Sequence, residues 1–202
     1  HGYVDAAHYQ AQNEYFYEQY AKGTLDIFAY SEFVFKVLAD TPMATLLQWR
    51  EQFMQEMILP LIQPQAMALV RKHMDIGHHC VLVSATNEFV IEPIARHFGF
   101  EHIIGTTPEQ INGQFTGKVA GTPSFQAGKI ARLEQWLATQ NLSWDTVKGS
   151  FFYSDSINDL PLLEHATFPV VCNPDAHLRE IARTRCWPIL ELFSNELNHT
   201  NN

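Results

Sequence analysis

The chain has 202 residues, of which 46% are hydrophobic, so it can bury a real core as one medium domain or as one domain with a small insertion. Its formal charge is -9 without a basic run, which argues against nucleic acid and anionic membrane as partners, because both require clustered Lys and Arg. Neither a bilayer-spanning apolar run nor a secretory pattern is found in the printed sequence. Three cysteines without a close pair indicate reduced thiols and a cytoplasmic setting.

Residues 1–60 show helical periodicity throughout and predict three amphipathic helices with no strand between them. Lys22-Gly23 ends the first, the second covers about Asp26 to Ala39, and Thr41-Pro42 begins the third, which reaches Met57. The many aromatic side chains of this segment are typical of a packed helical core. We therefore predict a helical cap over residues 1–60.

From residue 61 onwards, predicted strands alternate with helices. The strands are expected at residues 80–83, 102–106, 151–154, 168–172 and 187–192, and an Asn112-Gly113 step predicts a hairpin. Alternation of this kind implies parallel pairing through right-handed crossovers. The sequence thus predicts an α/β fold, a doubly wound and mostly parallel Rossmann-like sheet over residues 61–193, followed by a polar tail at 194–202.

An apolar aromatic strand beginning at Phe151 ends abruptly in a polar segment that contains Asp155, Asn158 and Asp159. In open α/β sheets, ligands bind beyond the carboxyl ends of the strands, where two such carboxylates could hold a hard cation such as Mg²⁺. The same segment also suits an ordinary helix start, since short polar residues are good N-caps. Taken alone, the segment leaves both interpretations open.

Two further polar residues occupy positions of interest. Ser84 is the first polar residue after an apolar strand and could contact a phosphate or carboxylate, although an N-cap is the commoner role at such a position. Lys129 lies early in a helix, where the macrodipole disfavours a cation, although an exposed helical lysine is commoner. A hydroxyl, an ammonium and two acids together are the groups that phosphoryl transfer requires.

With these residues assembled, the chain resembles the haloacid dehalogenase (HAD) superfamily of hydrolases, in its subfamily IB branch of phosphoserine phosphatase-like and histidinol-phosphatase-like proteins. Over nearly the whole chain, three segments are similar to the second, third and fourth family motifs: Val83-Ser84-Ala85, Ala127-Gly128-Lys129, and Ser154-Asp155-Ser156-Ile157-Asn158-Asp159. Two departures are Ala85, where phosphoserine phosphatases usually have Gly, and Ser154 for the leading Gly of the fourth motif. The family's first motif, Asp-x-Asp-x-Thr, does not occur in the printed sequence. We therefore expect a chain shortened at its N-terminus, which lacks the nucleophile and is inactive as printed.

The resemblance implies a Mg²⁺-dependent phosphomonoester hydrolase with a C1-type cap insert and an aspartyl-phosphate intermediate. It implies catalytic roles for Ser84, Lys129 and Asn158, and metal binding by Asp155 and Asp159. It also implies substrate contacts from Ala85 and Thr86, to which the cap could add Glu14, Glu18 and Arg50. The substrate would be a small phosphorylated metabolite. The Ser-Ala-Thr-Asn and Tyr-Ser-Asp-Ser variants and an acidic cap favour histidinol phosphate over phosphoserine.

Two other classes of function stay open at this point. A non-catalytic phosphate-binding or regulatory module is compatible with the missing nucleophile. A phosphoacceptor signalling domain also uses acids, a hydroxyl and a lysine on a doubly wound sheet, but there the acids come first in the sequence. The order found here, with helices ahead of the hydroxyl, counts against that class.

Overall fold

The computed structural model describes the backbone of residues 6–193 and the side chains of residues 9–193. The tail predicted at residues 194–202 lies outside the described residues. The α-helices are α1 (Ala6–Ala21), α2 (Ile27–Asp40), α3 (Met43–Phe53), α4 (Pro64–Asp75), α5 (Glu88–Phe98), α6 (Ala127–Thr139), α7 (Leu160–His165) and α8 (Ala176–Thr184). The strands are β1 (Val81–Asn87), β2 (His102–Thr106), β3 (Pro108–Ile111), β4 (Gln114–Val119), β5 (Phe151–Ser154), β6 (Phe168–Cys172) and β7 (Ile189–Leu190).

Local chemistry explains most helix boundaries. The Asp26 carboxylate accepts hydrogen bonds from two backbone N–H groups of the first turn of α2, and the Asn87 side chain caps α5 in the same way. Gly99 ends α5 in the left-handed conformation. The third helix, predicted to reach Met57, instead ends at Phe53, and the chain continues as a π-helical turn at Met54–Ile58 and a 3₁₀ turn at Leu59–Leu61.

The strands confirm the predicted α/β class with parallel pairing. β1 pairs in parallel with β2, and β5, β6 and β7 form a second parallel group in that order. β3 and β4 form an antiparallel hairpin whose turn residues, Asn112 and Gly113, both have positive φ, as the Asn-Gly step predicts. Among the described strands, β1 has no partner other than β2, and β5 has none other than β6. Each of the two parallel groups therefore ends in a strand with one free edge.

The helices before β1 do not close their core by themselves. Phe35 and Leu38 of α2 and Leu46 of α3 form a buried cluster with Phe115 of the hairpin strand β4. The hairpin thus completes the apolar face of the predicted cap, and the domain boundary near residue 60 stays a prediction. None of the described helices combines the length and apolar character needed to cross a membrane.

A second buried cluster links the two parallel groups of strands. Ile104 of β2, Leu133 of α6 and Leu162 of α7 pack together, and Val83 of β1 and Phe152 of β5 lie against them. Because these helices contact both groups, the C-terminal ends of β1 and β5 lie near each other. Polar residues that follow those two ends are thereby brought to one place.

Candidate active site

A cavity of about 570 Å³ lies between the first two helices and the ends of β1 and β5. Four residues singled out in the sequence line it: Ser84, Lys129, Asp155 and Asp159. Ala85 and Thr86 also line it. The structure thus brings the predicted hydroxyl, ammonium and acids to one cavity, although they come from three distant segments of the chain.

The centre of the site is a buried ion pair. The Lys129 Nζ lies 2.5 Å from Asp159 Oδ1, and the side chains are only 6% and 9% exposed. The other Asp159 oxygen, Oδ2, accepts a hydrogen bond of 2.7 Å from the Ser154 hydroxyl. Both carboxylate oxygens are therefore engaged by protein groups. The pair also explains a cation in the first turn of α6, because Asp159 offsets the unfavourable helix dipole and the loss of hydration.

Asp155 directly follows β5 and keeps its carboxyl open to the cavity. Desolvation by the surrounding protein raises the pKa of this carboxyl, a hydrogen bond from its own backbone amide opposes the rise, and the Asp159 charge adds to it. Protein sites for Mg²⁺ commonly use one or two carboxylates, with water and phosphate oxygens completing the shell. The Asp155 carboxyl has no side-chain partner among the described residues, whereas the two oxygens of Asp159 contact Lys129 and Ser154. Metal binding by Asp159 stays a prediction, and its contacts favour a supporting role.

Asn158 lies behind the cavity wall and is 3% exposed. Its Nδ2 donates to the backbone carbonyl of Tyr20 at 3.0 Å, and its Oδ1 accepts from Gln126 Nε2 at 3.3 Å. The Asn158 amide therefore joins the first helix to the loop that holds the two acids. A direct contact between Asn158 and a phosphoryl oxygen stays a prediction.

Two residues of this junction were not found from the sequence. Gln126 Nε2 also donates to the Gly23 carbonyl at 3.1 Å, and the Tyr20 hydroxyl lies 2.9 Å from the Ser156 hydroxyl. Gln126 has a φ of 47° and a ψ of -123°, a strained conformation for a residue other than glycine. The backbone strain at Gln126 left no signal in the sequence, whereas Tyr20 could have been noticed as the last aromatic of the first helix.

The structure excludes one of the two roles considered for Ser84, and its contact with a phosphate stays a prediction. The N-cap of α5 is Asn87, whose side chain accepts from Val90 N, so Ser84 does not cap that helix. The Ser84 hydroxyl oxygen accepts from Thr86 N at 3.1 Å, which leaves its proton available to an acceptor in the cavity. Strand β1 extends through Ser84 to Asn87, further than predicted, with a register shift after Val83.

None of the predicted cap contacts, Glu14, Glu18 and Arg50, is among the residues that line the cavity, and a substrate contact from them stays a prediction. Glu14 accepts from Gln10, and Glu18 forms an exposed ion pair with Lys22. The Arg50 guanidinium donates to the Phe89 carbonyl and to Glu92 and lies over the Phe89 ring. Helical periodicity placed these charges on the predicted cap, but it could not show which face of the cap covers the strand ends.

Comparison with known proteins identifies the family. The model of the haloacid dehalogenase-like hydrolases (HAD) matches residues 4–164. The chain belongs to the haloacid dehalogenase-like hydrolases. A protein of Neisseria meningitidis serogroup C named histidinol-phosphatase is 44% identical over 190 residues, which cover 94% of this chain and 86% of that protein. Phosphoserine phosphatase SerB1 of Mycobacterium tuberculosis is 34% identical, over 72% of this chain and 46% of that protein.

Solved structures agree with this assignment. A protein of unknown function from Bordetella pertussis Tohama I is 44% identical and superimposes with a TM-score of 0.88, covering 95% of this chain and 86% of that one. A phosphoserine phosphatase, solved as an analogue of its phospho-aspartyl intermediate, superimposes with a TM-score of 0.63 over 94% of this chain and 83% of that one. Its sequence identity is 15%, so this likeness shows the shared fold. Family membership and the phosphatase-named relatives make this HAD-like hydrolase an enzyme of the phosphatase type.

In this HAD-like hydrolase, Gly128 allows the first turn of α6, the helix that carries Lys129, to pack closely against the Pro123 carbonyl. A Cβ added at Gly128 would lie 2.2 Å from the Pro123 carbonyl oxygen, so the first turn of α6 would have to shift. We expect Gly128→Ala to lower the free energy of unfolding by about 1–3 kcal/mol, measured by denaturant titration. Ala127→Ser, at the exposed neighbouring position, should change it by no more than about 0.5 kcal/mol. Equal stability of Gly128→Ala and the parent would contradict the close approach.

Proposed function

We propose that the protein is a Mg²⁺-dependent phosphomonoesterase that acts on the phosphate ester of a small amino alcohol, with histidinol phosphate favoured over phosphoserine. One observation carries the proposal: Ser84, Lys129 and Asp155 line a single cavity at the ends of two parallel strands. The relative named histidinol-phosphatase supports the choice of substrate, because it matches almost the whole chain.

Ser84 and Lys129 would bind the phosphoryl group. Its charge is spread over several oxygens, so catalysis requires positive groups and hydrogen-bond donors from more than one direction. The Ser84 hydroxyl can donate from the β1 side, and the Lys129 ammonium from α6. The ammonium is held by Asp159, and a donor fixed in this way need not reorganise as charge develops in the transition state.

Asp155 would hold the metal ion, with water and phosphoryl oxygens as the other ligands. When bound, Mg²⁺ supplies neutralisation of charge on the phosphoryl oxygens and orientation of the ester. Asp159 would act from behind, since its oxygens contact Lys129 and Ser154. The two acids of one short segment would thus have different tasks: Asp155 faces the cavity, and Asp159 positions the lysine.

The attacking carboxylate is proposed to lie on a strand outside the printed sequence. β1 and β5 each have a free edge among the described strands, and the ends of both line the cavity, so a strand between them would deliver side chains to the site. In the first step the carboxylate would form an O–P bond while the ester O–P bond breaks, and the alcohol would leave with a proton from a neighbouring acid. Water would then hydrolyse the acyl phosphate.

Nearby Cys172 is poorly suited to replace that carboxylate. Burial, with the nearby Asp155 and Glu191 charges, raises the pKa of its thiol to about 11. At neutral pH the thiol therefore stays protonated, and the thiolate is the nucleophilic form.

The proposal is tested by phosphate release from a panel of small monoesters by the full-length protein, with and without Mg²⁺. The panel includes histidinol phosphate, phosphoserine and an alkyl phosphate. We expect release that depends on Mg²⁺ and is fastest with histidinol phosphate. Failure to release phosphate from any ester, together with retained binding of inorganic phosphate, would favour the non-catalytic phosphate-binding module instead.

A further inference from the structure

The wall of the cavity formed by the first two helices differs in chemistry from the strand ends opposite. It consists of the rings of Phe16, Tyr17, Tyr20 and Tyr30, two aliphatic side chains and Asn13. Among the side chains that the structure describes, this wall carries no charged group. The charged residues of the cavity, Lys129, Asp155 and Asp159, all come from the opposite side.

Several of these rings are held in place by the protein. Phe16 is buried and packs edge-on against Tyr30, with ring centroids 5.4 Å apart. The Tyr20 hydroxyl contacts Ser156, and its ring lies 6.1 Å from that of Phe125. Tyr17, in contrast, is 73% exposed and lies at the mouth of the cavity. The wall therefore combines a rigid aromatic floor with one ring that is free to adjust.

The distribution of charge limits which alcohols can occupy this side. Lys129 is the one cation among the described residues that line the cavity, and its ammonium is paired with Asp159 and directed to the phosphoryl group. A substrate carboxylate against the aromatic wall would lose water without gaining a cationic partner, which is costly. A flat cationic or neutral ring would instead stack on the tyrosines, whose ring faces attract positive charge.

We propose that this aromatic wall is the specificity site for the alcohol part of the substrate, selecting a flat cationic or neutral ring and rejecting alcohols that bear a carboxylate. The inference rests on the proposed phosphomonoesterase function and assigns its selectivity to Tyr17, Tyr20 and Tyr30. It differs from recognition by charged cap residues, which the positions of Glu14, Glu18 and Arg50 do not support.

The first experiment compares kcat/KM for histidinol phosphate, which carries an imidazole, with that for phosphoserine, which carries a carboxylate, in the full-length protein. We expect a ratio of at least about tenfold in favour of the imidazole ester. In Tyr17→Ala the ratio should fall by about three- to tenfold, since one stacking contact is lost. Phe28→Ala removes an exposed ring from the second helix, but Phe28 does not line the cavity, so the ratio should stay unchanged.

A second variant tests the charge argument by gain of function. Asn13 is exposed and lines the cavity, so Asn13→Arg would supply a cation without disturbing the core. We expect this variant to raise kcat/KM for phosphoserine several-fold, while the inhibition constant of inorganic phosphate stays the same. Gln10→Arg adds the same cation at an exposed position of the same helix that does not line the cavity, so it should leave both quantities unchanged.

The outcomes separate the inference from the function on which it rests. Equal or better use of phosphoserine by the parent, with Mg²⁺-dependent release intact, would overturn the aromatic specificity site and leave the phosphomonoesterase standing. An unchanged ratio in Tyr17→Ala would overturn the assignment to this wall. Absence of release from both esters would overturn the proposed function and the inference together.

Discussion

Replacement of Asp155 by Asn is expected to abolish Mg²⁺-dependent phosphate release by the full-length protein while leaving the fold intact. Asn keeps the shape of the side chain but removes the charge of the one cavity carboxylate whose oxygens are free of protein side-chain partners among the described residues. A neutral amide oxygen is a much weaker ligand for a hard dication that retains several waters. Initial rates with and without Mg²⁺ measure the effect, and Asp145→Asn, at an exposed loop position, is the matched control. Near-normal Mg²⁺-dependent turnover in Asp155→Asn would exclude the assignment.

The same variant gives a second result that does not depend on turnover. Desolvation raises the pKa of the Asp155 carboxyl, so in the absence of metal the folded protein holds this proton more tightly than the unfolded chain does. The contribution of Asp155 to stability is therefore present at low pH and is lost as the pH rises through its raised pKa. At neutral pH without Mg²⁺, Asp155→Asn should be at least as stable as the parent. Added Mg²⁺ should raise the melting temperature of the parent only, because a ligand stabilises the folded state that binds it.

Much of the fold could be predicted because its signals are local. Buried parallel strands are continuous apolar runs, and the Gly, Pro and Asn residues that end strands and helices determine the backbone conformation of the turns in which they lie. Asn112-Gly113 adopts the positive φ angles that a two-residue hairpin requires, and Gly99 ends α5. The end of α3 moved where no such residue stands, since the helix passes into a π-helical turn at Met54–Ile58.

The composition of the site was predictable on the strand side and not on the cap side. Ser84 and Asp155 follow apolar strands, and a parallel sheet places the C-terminal ends of its strands at one edge. No such rule applies to the cap. Helical periodicity predicts which side chains share one face of a helix, but not which part of the molecule that face covers. Its aromatic residues were interpreted as packed core, which holds for Phe16, whereas Tyr17 is exposed and lines the cavity.

The contacts between distant segments could not be predicted from local sequence patterns. The Asn158 side chain contacts residues near positions 20 and 126, and no feature of any one segment indicates this meeting. Lys129 was an intermediate case: its unfavourable place in the first turn of a helix suggested a purpose, but its partner, Asp159, became known only from the structure. Such conflicts between local preference and position are useful signs of functional sites.

Replacement of Lys129 by Met is expected to lower kcat/KM by about 10²–10³-fold, the usual effect of losing one preorganised electrostatic contact to the transition state. It should also lower the free energy of unfolding by about 3–5 kcal/mol, because Asp159 would be left buried and charged without its partner. Denaturant unfolding and steady-state kinetics measure the two effects separately. The stability loss alone could reduce activity, so the single variant does not prove a role in catalysis.

The double variant Lys129→Met/Asp159→Asn resolves this ambiguity. The side-chain amide that replaces the Asp159 carboxylate would keep an oxygen to accept the 2.7 Å hydrogen bond of Ser154, and with both charges gone no uncompensated ion would remain buried. We therefore expect most of the lost stability to return while kcat/KM stays as low as in Lys129→Met. Recovery of turnover along with stability would mean that the pair only holds the α6 helix to the Asp159 loop. Continued loss of turnover in a stable protein would instead show that the charges of the pair are themselves required for catalysis, since packing would be restored.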